Sequence, residues 1–180
     1  GTPVLLKVES KDDPTISVET LTNTTVAGGW DVLVFDFSTE APGTAALDLG
    51  RVYDKASVFF NFGTMPTEAA TYYWDDVFFV DGPGGDDSQM DLPVTFEEEG
   101  IDYGVVDFGG NESMIVADPE DATNTVVQST KTAGAMTWGG TTLTSSVPSA
   151  PAGFVSQIPF AADATKMSVR VWSPTAGTPI

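Results

Sequence analysis

Apolar and polar residues alternate along this 180-residue chain in short runs, and a period of two recurs where a helical period is absent. Val4 to Glu9, Ile16 to Leu21, Trp30 to Phe37, Ala56 to Phe62, Thr71 to Val80 and Leu92 to Glu97 read as strands. So do Tyr103 to Phe108, Ser113 to Ala117, Thr125 to Lys131, Ala135 to Leu143, Phe154 to Ala161 and Met167 to Trp172. Turn clusters such as Lys11-Asp12-Asp13-Pro14, Ala27-Gly28-Gly29 and Phe108-Gly109-Gly110-Asn111 separate them, and the helix-tempting Asp118 to Thr125 reads as a short turn. This spacing predicts an all-β chain, a two-sheet antiparallel β-sandwich, most simply a jelly roll.

The strongest break in the pattern is the Gly-rich acidic segment 81–91, which reads as a linker between a 1–80 half and a 92–180 half. Each half holds too few strands for a sandwich of its own, so 1–180 is expected to be a single domain. The chain also nearly repeats itself at its ends, Gly1-Thr2-Pro3-Val4 against Gly177-Thr178-Pro179-Ile180, each next to a strand-like run. Joined through one Gly-Thr-Pro turn, the runs Met167 to Trp172 and Val4 to Glu9 would form a hairpin. Met167, Val169 and Val171 would then face the core with Leu6 and Val8, and Arg170 and Trp172 would share an outer face with Lys7 and Glu9.

Seven Lys and Arg against 26 Asp and Glu give a net charge of −19, a field that repels nucleic acid, anionic membranes and strongly anionic polysaccharides. Neutral ligands remain. No apolar run is long enough to cross a membrane as a helix, and Gly1 onward lacks the pattern of a signal peptide. The absence of Cys and His removes disulfides, thiolate and imidazole metal sites, the Ser-His-Asp triad and the commonest general base. Carboxylate-pair catalysis is the chemistry still open, and a sandwich this small offers it no obvious deep cleft.

Leu92-Pro93-Val94-Thr95-Phe96-Glu97-Glu98-Glu99-Gly100 and Tyr72-Tyr73-Trp74-Asp75-Asp76-Val77-Phe78-Phe79 resemble the first and last strands of jelly-roll, galactose-binding-like carbohydrate-binding modules of marine bacterial polysaccharide-utilisation proteins. Val4 to Glu9, Trp30 to Phe37 and Ala133 to Gly140 fit the same group, but the order differs: the closing strand here precedes the opening one. The resemblance therefore implies a circularly permuted module, with its original termini joined by the acidic segment. It also implies a structural calcium ion held by Glu97 and Asp75, with Glu98 and Asp76 beside them.

Sugar rings bind by laying an apolar C–H face on an aromatic ring while charged or amide groups bond the hydroxyls. The expected binding patch is Trp172 with Arg170, Lys7 and Glu9, and Trp138, among small neighbours, is a second candidate. Trp74 and Tyr72 complete the candidates, although alternation leaves open whether they or Tyr73 and Asp75 face inward; Trp30, ahead of Leu33, Phe35 and Phe37, is expected in core or hairpin packing rather than in the site. The implied function is a non-catalytic module that binds a polysaccharide, neutral by the charge argument, such as the β-glucan laminarin. It would be secreted or at the bacterial cell surface beside neighbouring modules or repeats of a larger protein. The alternative is a structural or interlocking, calcium-stabilised repeat of an adhesin-like surface protein, able to self-associate by strand exchange.

Overall fold

The computed structural model describes residues 1–79, 90–144 and 153–175, and these contain ten strands and no helix. In chain order they are β1 (Pro3–Glu9), β2 (Ser17–Asn23), β3 (Gly29–Asp36), β4 (Lys55–Phe60), β5 (Ala70–Phe79), β6 (Gly104–Phe108), β7 (Asn111–Ala117), β8 (Thr125–Lys131), β9 (Gly140–Thr144) and β10 (Lys166–Ser173). They form two five-stranded antiparallel sheets, one ordered β2-β1-β4-β9-β6 and the other β3-β10-β5-β8-β7, so the chain is a β-sandwich. Of the acidic segment 81–91 only Met90 and Asp91 are described; Val80 and the second Gly-Thr-Pro copy also lie outside the described residues.

Strands from both sides of that segment interleave: β10 lies between β3 and β5, and β9 joins β4 to β6. One apolar interior follows. Val4, Leu6 and Val8 from β1 meet Leu33 and Phe35 from β3, Trp74 from β5 and Val169 and Val171 from β10, all buried in one cluster.

Two expected strands are missing. Residues 92–97 make only an isolated bridge, Val94 to Val77, because Phe96 leaves the extended region at φ 62°. Residues 154–161 are irregular, yet Phe154 and Ile158 are buried, so their apolar character marks packing rather than pairing.

The expected hairpin between the Val4 and Met167 runs does not form. β1 is flanked by β2 and β4, and β10 by β3 and β5, so each edge is taken and the two strands belong to opposite sheets. Their facing is nevertheless as expected, with Met167, Val169 and Val171 inside with Leu6 and Val8. The start of β1 and the end of β10 also lie together, since Thr2 Oγ1 is 3.2 Å from Ser173 Oγ and donates to the Thr175 carbonyl.

One cation is fully inside. Lys131 donates from Nζ to the carbonyls of Phe60 and Asn61 at 3.0 Å each, and to Thr137 at 3.4 Å, tying β8 to the end of β4 and to the β8–β9 loop. Burial draws its pKa down to about 8. Folding therefore sheds a proton between that value and the ordinary lysine value of about 10.4, and stability rises with pH across the window. Urea unfolding at pH 7.5 to 10.5 should show an extra slope of no more than about 1.4 kcal/mol per pH unit, absent from Lys131→Met; equal slopes in both proteins would contradict it.

Candidate functional site on the outer face of the β3 to β7 sheet

The register of this sheet places Trp30, Trp172, Tyr73, Gln128 and Met114 in one row across β3, β10, β5, β8 and β7. With strands spaced near 4.8 Å, the row runs about 19 Å across the outer face. Trp172 meets Tyr73 edge to face at 5.4 Å between centroids, and Gln128 donates to the Tyr73 hydroxyl at 3.2 Å. The Trp172 indole N–H donates to Glu120 Oε1 at 3.1 Å.

Beside the row lies a cluster built by a bulge in β5. Ser168 pairs with Phe78 but Arg170 pairs with Asp75, so three steps on β5 oppose two on β10, and Asp76 takes up the extra residue at φ 52°. Trp74 and Val77 stay inside while Asp75 and Asp76 both reach Arg170. A regular strand would turn one of two adjacent aspartates into the core.

Arg170 lies 3.8 Å over the Trp30 ring, a cation–π stack, with Nη2 2.8 Å from Asp75 and 3.4 Å from Asp118. Its Nε is 3.1 Å from Asp76 Oδ2 but not aligned for a hydrogen bond. Asn124 donates to both Asp75 and Asp118 at 3.1 Å, closing a network between β5, β10 and the β7–β8 loop.

The carboxylates are not equivalent. Burial, reinforced by Asp75, raises the Asp76 pKa although Arg170 pulls the other way. Burial also works against the Asp118 carboxylate, but the Glu120 N–H, Asn124 and Arg170 outweigh it and hold the group below its ordinary value. For Arg170, burial is outweighed by the three aspartates and the pKa rises.

Several expected site residues sit elsewhere. Trp74 and Tyr72 are core residues: Trp74 donates its indole N–H to Ser129 inside, and Tyr72 stacks on Phe60. Tyr73 is the member of the alternating pair that faces out. Lys7 and Glu9 belong to the opposite sheet, where Glu9 bridges Lys7 and Lys55 at 2.5 and 2.7 Å, so they do not join Arg170 and Trp172. Trp138 is exposed, at the β8–β9 loop. Trp30, expected in core or hairpin packing, lies outside the core as the platform beneath Arg170; its even number, against the inward Leu33, Phe35 and Phe37, was the signal.

The residues implied for calcium have protein partners of their own. Arg170 pairs with one oxygen each of Asp75 and Asp76, while Glu97 accepts from the Thr125 N–H at 3.0 Å. Glu98 lies on the exposed 97–100 turn, and among the described residues no three acidic side chains converge as metal ligands. Comparison of the chain with protein-family models, curated proteins and solved structures returns no match.

The opposite pKa directions give a paired prediction. Asp76, raised, favours the fold below its unfolded value near 3.9, and that favour is lost as pH rises through the folded pKa; Asp118, lowered, contributes above 3.9 and loses it as pH falls. Asp76→Asn should gain no more than about 1 kcal/mol at pH 7 after solvent screening, and Asp118→Asn should lose about 1–3 kcal/mol. Both differences should shrink toward pH 3 in denaturant unfolding. A loss in Asp76→Asn that matches Asp118→Asn would contradict the assignment.

Proposed function

We propose that this domain is a non-catalytic carbohydrate-binding module that docks a neutral polysaccharide on the outer face of the β3 to β7 sheet. The observation that carries the reading is the pair Trp172 and Tyr73 in a cross-strand row that begins at Trp30 beneath Arg170 and ends in Gln128 and the exposed Met114. Sugar rings can stack along such a band, while Arg170, Asp76, Glu120 and Asn124 on its flank supply donors and acceptors for hydroxyls. Open faces of this kind suit extended chains, and the net charge of −19 directs the choice toward uncharged glycans, a β-glucan such as laminarin first among them. The domain would act as an anchor in a larger secreted or surface protein. The permuted strand order belongs to the same reading, supported by the proximity of Thr2 and Ser173.

The second reading, a structural repeat that associates with other copies, draws on β3, an edge strand paired on one side only, with exposed Val32 and Val34. The two readings part in solution. Affinity electrophoresis on gels containing laminarin, xyloglucan or galactomannan should retard the wild-type domain, and Trp172→Ala and Tyr73→Ala should each weaken retention about tenfold, the equivalent of about 1.4 kcal/mol. Migration unaffected by every glycan, together with light scattering that grows with concentration, would replace the first reading by the second.

A further inference from the structure

We infer that Trp138 and the cleft beside it, in the β6–β7 and β8–β9 connections between the two sheets, form a second glycan subsite distinct from the Trp172 row that takes a single neutral pyranose ring. The inference rests on the carbohydrate-binding reading but concerns different residues, so it can fail while that reading stands.

Trp138 is 51% exposed, unusual for the largest apolar side chain, yet it is not loosely held. Its ring lies nearly parallel to Phe108, 15° between planes and 6.2 Å between centroids. Gly109, at φ 66°, passes directly under it: a Cβ there would come within 3.0 Å of the indole and 2.7 Å of Gly139 Cα. The loop that carries it is bonded along its length. Gly134 N–H donates to Pro66, Met136 N–H to Gly109, Gly139 N–H to Met136, and the Thr137 carbonyl accepts from Gly63 N–H and Lys131 Nζ. The aromatic face is therefore presented ready-made, and little ordering cost remains for a ligand.

Beside the ring is a cleft of about 300 Å³ lined by Gly109, Gly110, Thr132, Gly134, Ala135 and Met136 among others, the size of a small ligand pocket. None of its lining residues is charged, in a chain of net charge −19. A flat exposed indole over a small, uncharged cleft matches a sugar ring, whose apolar face needs the indole and whose hydroxylated edge is small and neutral. An anionic ligand would meet the repulsive field of the whole molecule with no cation among the lining residues, the nearby Lys131 being buried and turned to carbonyls, and a second copy of the chain would bring −19 against −19.

The test compares Trp138→Ala, Trp138→Phe, Trp172→Ala and the Trp138→Ala/Trp172→Ala double variant on laminarin, xyloglucan and galactomannan affinity gels, with circular dichroism as the check on folding. With one long glycan chain engaging both subsites at once, Trp138→Ala should weaken retention about tenfold, Trp138→Phe less, and the double variant about a hundredfold. Retention of Trp138→Ala equal to wild type on every gel that retards the wild type overturns the second subsite and leaves the first standing. If Trp138→Ala does not fold, unchanged retention of Trp138→Phe overturns it in the same way. If no gel retards the wild type, both readings fall. Binding to phosphatidylcholine vesicles that disappears in Trp138→Ala would assign the indole to a lipid surface instead and overturn the subsite.

Discussion

The two sheets close on one main apolar interior, and the strands that build it turn alternate side chains toward it. β10 shows how rigid the demand is: Met167, Val169 and Val171 are fully buried, so Ser168, Arg170 and Trp172 have no choice but the outside. The same parity in β3 puts Trp30 next to Trp172, and in β5 it puts Tyr73 on the far side of the same indole. The aromatic band on the outer face is thus the complement of the core.

Charge is then fitted around that frame. The structure uses all seven cations of the chain in ion pairs or buried bonds: Lys7 and Lys55 hold Glu9, Lys11 reaches Asp54, Lys166 reaches Asp36, Arg51 pairs with Asp48, Arg170 gathers three aspartates, and Lys131 is turned inward to carbonyls. Arg170 differs in kind from a surface pair because two of its partners, Asp75 and Asp118, have almost no exposure. Removing the guanidinium would leave buried carboxylates facing one another, whereas the exposed Arg51–Asp48 pair could be lost with little consequence.

Much of the fold was legible because alternation encodes which face a residue takes. It does not encode which strand lies alongside, and this is why β1 and β10 were read with correct faces and a wrong partner. Local pattern also cannot see a bulge. Asp75-Asp76 reads as one residue in and one out, and only the pairing with β10 reveals that both are out. Trp74 and Tyr72 were a coin toss between two parities that the inward Val77 and Phe79 could not decide, since the extra residue lies between them. Trp30, by contrast, could have been placed by counting from Leu33.

The bulge in β5 has one more consequence. Strike Asp76 from the chain and Tyr72, Trp74, Val77 and Phe79 fall on alternate positions of an unbroken strand, all still inward, with Tyr73, Asp75 and Phe78 outward. Asp76 is thus the one residue of β5 that the interior does not require. It is held at a positive φ and with its charge disfavoured, two costs that a shorter, regular strand would avoid. The spare residue marks a place where this chain carries something other than the minimum needed to fold, and it sits at the rim of the aromatic band.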